Sequence, residues 1–97
     1  MKVIALNPET KTATVELLGK VRELNAFFQA DRVTIFGIAV RYRTGTKVWR
    51  GYVIYWLESK HISIEGPMDH RQSKPSLSIV GFYADVVEAR KSQHLGN

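Results

Sequence analysis

RVTIFGIAVRYRTGTKVWRGYVIYWL, residues 32–57, contains two runs of β-branched and aromatic residues on either side of Thr44-Gly45-Thr46. Residues of these types suit the pleated, half-buried surface of a sheet. A glycine accepts the positive φ that a tight hairpin turn requires. The stretch therefore predicts a central hairpin of two long antiparallel strands with its turn near Gly45.

The register of this hairpin decides which side chains share a face, because side chains alternate along a strand. A two-residue loop at Thr44-Gly45 places basic and aromatic side chains together on one face: Arg41, Arg43, Arg50 and Tyr52. A three-residue loop with a bulge mixes this set with the opposite face. Gly37 and Gly51 lie inside the predicted strands, where a glycine often marks a bulge or a close backbone approach.

Residues 2–6 and 12–17 predict a first hairpin, since the turn formers of residues 7–11 separate two runs with strand character. An alternative is a helix over residues 8–18, capped by Asn7 with Pro8 at its first position. The β-branched residues at positions 10, 12, 14 and 15 are poor helix formers and favour the hairpin.

The main helix is predicted over about residues 18–30. Leu17, Val21, Leu24 and Phe28 follow the four- and three-residue spacing of one helical face. This apolar stripe is expected to lie on one face of the sheet.

Beyond the central hairpin, residues 61–65 and 77–83 predict two further strands, and residues 84–91 either prolong the last strand or form a short helix. Between the strands, the 66–76 loop approaches the length at which loops are usually functional. The expected fold class is α+β: a single domain over residues 1–97, with a mainly antiparallel sheet of about five to six strands and one main helix packed on one face.

Composition narrows the classes of function. The 97 residues include no cysteine, which excludes disulfides and thiolate metal sites. The three histidines show no metal-ligand or catalytic spacing, so we expect no enzyme, no metal and no cofactor. No apolar run approaches the ~20 residues of a membrane span, and the expected location is the cytoplasm.

The charge pattern suggests a nucleic-acid partner. The net charge is +5, from 14 Lys plus Arg against 9 Asp plus Glu, and a basic domain attracts polyanions. Around the tip of the central hairpin, cations alternate with rings, an arrangement in which cations track phosphates and rings stack bases. The candidate binding residues are Arg41, Tyr42, Arg43, Lys47, Arg50 and Tyr52, with His70, Arg71 and Lys74 in the long loop.

Two other interpretations stay open. The same surface suits a protein-interaction module, such as a stand-alone inhibitor or adaptor that a phage or mobile element encodes to act on a host protein. Surplus aromatic residues also suggest an open apolar patch and a homodimer. The residues expected to carry this self-association are Ile35, Ile54 and Trp56.

Overall fold

A computed structural model describes residues 1–42, 45–66 and 77–95 of the chain. Within these ranges, seven antiparallel strands form one sheet, and a helix follows the last strand. The elements are β1 (Lys2–Asn7), β2 (Thr12–Leu17), β3 (Lys20–Phe28), β4 (Arg32–Tyr42), β5 (Val48–Trp56), β6 (Ile62–Glu65), β7 (Leu77–Phe82) and α1 (Tyr83–Leu95). The α+β class, with an antiparallel sheet and one packed helix, is confirmed.

The sheet follows the chain order from β1 to β6, and β7 inserts beside β4. One edge of β4 pairs with β5, whereas its other edge is shared between two strands. Ile35 and the residues before it pair with β3, and Ile38 and the residues after it pair with β7. The sheet therefore forks at Gly37, and we call the gap between β3 and β7 the fork.

Gly37 sits at a β-bulge. Its φ is 90°, and the register between β4 and β5 shifts between Phe36 and Ile38. An extra residue reverses the alternation of side chains along the rest of the strand. Ile38 consequently joins Ile35 on one face of the sheet, and the bulge expected at this glycine is confirmed.

The core lies on that face, which we call the inner face; the opposite side of the sheet is the outer face. Residues paired across neighbouring strands have side chains on the same face, and these pairs show that strands on both sides of the fork contribute to the inner face. The sheet curls around a buried cluster of Ala13, Val15, Leu17, Ala26, Val33, Ile35, Ile38, Val40, Val53 and Phe82. Full burial of a valine or isoleucine side chain contributes about 1.5–3 kcal/mol, so this cluster is the main source of stability.

The prediction of a helix over residues 18–30 is wrong, because residues 20–28 form β3. Leu18 and Gly19 have φ values of 53° and 77° and form a two-residue turn between the paired residues Leu17 and Lys20. Positive φ at both central residues defines a type I′ hairpin turn. The turn allows residues 20–25 of β3 to pair with β2, and this pairing overrides the helical spacing. Val21, expected on the buried stripe, is 49% exposed.

The first hairpin is confirmed, with β1 paired to β2. The Asn7 side-chain oxygen accepts hydrogen bonds from the backbone N–H groups of Glu9, at 3.1 Å, and Thr10, at 3.3 Å. This Asx turn uses the asparagine to reverse the chain instead of capping a helix.

Residues 84–91 fall within α1, the second of the two structures predicted for them. Asp85 lies in the first turn, where a carboxylate interacts favourably with the helix dipole. Its oxygens also form ion pairs with Lys20, at 3.6 Å, and Arg22, at 3.5 Å, on β3. The helix is thereby held across the fork. No helix in the described ranges is long and apolar enough to cross a membrane.

Candidate functional site

The outer face of the central hairpin brings together three of the candidate binding residues. Arg41 pairs with Val48, Arg50 with Ala39, and Tyr52 with Phe36. Residues paired across antiparallel strands have side chains on the same face. Arg41, Arg50 and Tyr52 therefore share the outer face, in the register that a Thr44-Gly45 loop predicts.

Aromatic rings line the same face. The Phe36 and Tyr52 ring centroids are 5.9 Å apart with an interplanar angle of 43°. Phe36 is 41% exposed, and Phe27, which reaches the outer face through its pairing with Thr34, is 57% exposed. Large apolar side chains with this much exposure are available to a ligand.

Phe27 and Phe36 are absent from the sequence-based set of candidate residues. Simple alternation puts Phe36 on the face of Ile38, and only the extra residue at Gly37 separates the two. Phe27 falls within the helix that the sequence predicts over residues 18–30. The sequence signal that could have found it is the alternation of inward Leu24, Ala26 and Phe28 after the Leu18-Gly19 turn.

Cations gather where the central hairpin approaches its tip. The Lys47 ammonium lies 4.1 Å from the centroid of the Trp49 ring, and the Arg50 guanidinium lies 5.7 Å from that of Tyr83. Arg41 is exposed on the outer face. In the part of the chain that the structure describes, no carboxylate forms an ion pair with any of these three cations. We call Arg41, Lys47 and Arg50 the cationic end.

Trp49 and Tyr42 belong to the inner face. Trp49 pairs with Val40 and packs, partly buried, against the core. Its ring forms a cation–π contact with Lys47. Tyr42 pairs with Leu77 and lies two residues after Val40 on β4, so its side chain is on the inner face, opposite to that of Arg41. Four further candidates lie outside the described residues: Arg43, His70, Arg71 and Lys74.

The expected self-association patch of Ile35, Ile54 and Trp56 is wrong in its first member. Ile35 has 0% exposure and lies in the core, opposite Val53. Ile54 and Trp56 are half-buried and lie on the outer face, because they pair with Thr34 and Arg32. The three side chains cannot form one surface, since they project from opposite faces of the sheet.

At the far end of the outer face, Arg32 packs against Trp56. The Arg32 guanidinium lies 4.3 Å from the Trp56 ring centroid and donates two hydrogen bonds of 3.0 Å to the Asp31 carboxylate. The Trp56 Nε1–H donates to the Ser63 hydroxyl at 3.1 Å. The hydrogen bonds from Arg32 hold the pKa of Asp31 below its ordinary value and raise that of Arg32.

The fork contains an open groove of about 680 Å³, which we call the fork groove. Phe36 and Arg50 border it on the central hairpin, and Glu23 borders it on β3. The helix contributes the remaining wall through Tyr83, Ala84, Val87 and Glu88. Through Phe36 the fork groove is continuous with the aromatic rings of the outer face, and through Arg50 it is continuous with the cationic end.

The candidate site combines exposed aromatic rings with cationic side chains. Among the described residues, no group of three or more His, Asp or Glu side chains is arranged to hold a metal ion. No family model, curated protein or solved structure matches the chain. The fold and the site define a small α+β protein with an aromatic, cationic outer sheet face.

Proposed function

We propose that this protein is a non-enzymatic binding protein whose outer face takes single-stranded nucleic acid. One observation carries the proposal: the Phe36–Tyr52 ring pair lies on the same face as Arg41 and Arg50. Proteins that bind single strands combine a cationic track for the backbone with rings on which bases stack.

The cationic end supplies the phosphate contacts. Because no carboxylate of the described residues pairs with Arg41, Lys47 or Arg50, their charge is available to a polyanion. The chain's net charge of +5 adds a long-range attraction that increases the rate of encounter. Both effects weaken as salt rises.

The rings select unpaired bases. Bases in a duplex are already stacked on one another, whereas those of a single strand can splay out and stack on aromatic side chains. Each base–ring stack contributes about 1–3 kcal/mol. The outer face therefore favours single-stranded over duplex nucleic acid.

Fluorescence anisotropy with labelled single-stranded RNA, single-stranded DNA and duplex DNA at two salt concentrations tests the proposal. The wild-type protein should bind single strands more tightly than the duplex. The double variant Arg41→Ala/Arg50→Ala, which removes both outer-face arginines, should bind more weakly, with a flatter dependence on salt, by about 0.7 in the logarithmic slope for each lost phosphate contact.

Lys2→Ala/Lys11→Ala is the matched control, since both lysines are exposed and belong to the β1 hairpin. It removes the same charge from the chain but no part of the cationic end. Equal losses in the two double variants would mean that net charge alone attracts nucleic acid, and the outer face would be rejected as the site.

A protein-interaction function is the second candidate, including self-association. It is favoured by the exposure of Phe27 and Phe36 on one face, because exposed apolar patches commonly mark interfaces. Multi-angle light scattering tests the homodimer: a dimeric wild type and a monomeric Phe27→Ser variant would support it. A monomer at high concentration would exclude it.

A further inference from the structure

The fork groove has a wall of hydrogen-bonding side chains beside its aromatic wall. Glu23 and Asn25 both line it and are exposed, and both lie on the outer face of β3, paired with Thr14 and Thr12. Side chains two positions apart on one strand face are separated by about 6.6 Å along the strand. One planar ligand edge can therefore meet both.

These polar groups are not engaged elsewhere in the part of the chain that is described. Neither an ion pair nor a hydrogen bond occupies the side chain of Glu23, Asn25 or Glu88 there. Arg22, which also lines the groove, is held by the Asp85 carboxylate and lies 5.8 Å from the Phe82 ring centroid. The acceptors of Glu23 are thus available to a ligand, whereas Arg22 is already paired.

The opposite side of the groove suits a base attached to a phosphate. Phe36 and Tyr83 contribute rings to the lining, and the Arg50 guanidinium lies 5.7 Å from the centroid of the Tyr83 ring. A base that enters from the outer face would leave its phosphate beside Arg50. The groove volume of about 680 Å³ gives ample room for a single nucleotide.

We propose that the fork groove receives one base of the bound single strand and prefers guanine; this rests on the proposed function of the outer face. An ionised carboxylate only accepts hydrogen bonds, whereas an asparagine amide can also donate. Guanine alone presents adjacent N1–H and N2–H donors for Glu23 beside an O6 acceptor for Asn25. Uracil, cytosine and adenine each turn at least one acceptor lone pair towards the carboxylate.

The test compares a labelled oligouridylate with the same oligomer carrying one central guanosine, by fluorescence anisotropy. The guanosine oligomer should bind about tenfold more tightly, the ratio expected for one bidentate base contact. Glu23→Gln should reduce this ratio to near one, and because both oligomers carry the same phosphates, any general gain from losing a negative charge cancels in the ratio.

Glu16→Gln is the matched control. Glu16 is exposed on the outer face of β2, where it pairs with Val21 of β3, but it does not line the groove. The same charge change there should preserve the preference for guanosine. Circular dichroism melting of both variants verifies that they fold.

The outcomes separate the two proposals. Equal binding of both oligomers, or a guanosine preference that survives Glu23→Gln, overturns the base site and leaves the outer face supported. A preference for a central adenosine or cytidine over guanosine also overturns it. Failure of the wild type to bind either oligomer overturns both proposals.

Discussion

Phe36 and Tyr52 contact each other across β4 and β5, with ring centroids 5.9 Å apart, on the side of the sheet that faces away from the core. Aromatic pairs at this distance gain about 0.5–1.5 kcal/mol beyond the burial of their area. The pair also adjoins Arg50, two residues from Tyr52 on the same strand face. A stacking platform and a phosphate contact therefore lie side by side.

Replacing the Tyr52 ring should weaken binding of single strands. Tyr52→Leu keeps an apolar side chain but removes the ring, and the expected loss is about 1–3 kcal/mol, the contribution of one base stack. Tyr52→Phe retains the ring and should bind like the wild type. Anisotropy measures both affinities, and equal affinity of the leucine and phenylalanine variants would show that the ring is not a stacking surface.

Gly51 should not tolerate a side chain. A Cβ at this position would lie 2.7 Å from the Glu65 carbonyl oxygen and 2.7 Å from Val40 Cγ2, so Gly51→Ala forces the backbone of β6 and the Val40 side chain to move apart from it. Overpacking of this kind typically costs about 1–3 kcal/mol. Urea denaturation should show the loss as a lower transition midpoint.

Gly45→Ala provides the comparison, because the nearest atoms to its Cβ would be 3.7 Å away, which is ordinary contact. It should change the free energy of unfolding far less than Gly51→Ala. A similar loss in both variants would indicate that glycine matters through backbone freedom and not through the close approach of β6.

Leu18 stores backbone strain in the β2–β3 turn. Its φ of 53° costs a residue with a β-carbon about 1–2 kcal/mol, whereas asparagine adopts this region readily. Since the leucine is 75% exposed, Leu18→Asn loses little contact and should stabilise the protein by about 1 kcal/mol. For a domain of this size, the thermal midpoint should rise by about 4–8 °C.

Leu18→Ala separates strain from contact, as it keeps the β-carbon and removes the rest of the side chain. It should give no stabilisation. A destabilised Leu18→Asn variant would instead show that contact of the leucine with Val86 and Ala89 of α1, which line the same small cavity, outweighs the strain.

The Asp31–Arg32 pair predicts a defined response to acid. Hydrogen bonds from Arg32 lower the pKa of Asp31, so its folded form prefers the ionised carboxylate. The resulting stabilisation is present above about pH 4, the ordinary range of an aspartate, and is lost as the pH falls through the lowered pKa. Arg32→Gln should raise the pKa of Asp31 towards its ordinary value.

Carbon-13 NMR titration of the Asp31 carboxyl group measures this shift directly. Arg22→Gln is the control, because Arg22 pairs with Asp85 and not with Asp31. An Asp31 titration midpoint that is the same in Arg32→Gln as in the wild type would mean that the hydrogen bonds of the pair do not control this carboxyl group.

Much of the sheet follows from local pattern. The strand residues on either side of Gly45, the turn formers around Asn7 and the bulge-prone Gly37 all specify structure through their own backbone preferences. The sequence also predicts that Arg41, Arg50 and Tyr52 share a face, provided that the central hairpin has the register of a two-residue loop at Thr44-Gly45. Each of these predictions depends on residues near one another in the chain.

Two features of the candidate site required the tertiary structure. The first is Phe36, whose place on the outer face depends on the one-residue shift at Gly37. The second is the fork groove, whose walls come from β3, the central hairpin and α1. A residue pattern within one segment does not predict how far that segment lies from another in the folded protein.

The sequence by itself determined an antiparallel sheet built on the central hairpin, because β-branched residues, aromatic residues and glycines act locally on the backbone. The tertiary structure decided that residues 20–28 are a strand and residues 83–95 the helix. The apolar spacing of Leu17, Val21 and Leu24 suits a helix, but β3 pairs with both β2 and β4 and places Ala26 in the core. These contacts outweigh a helix propensity worth only tenths of a kcal/mol per residue.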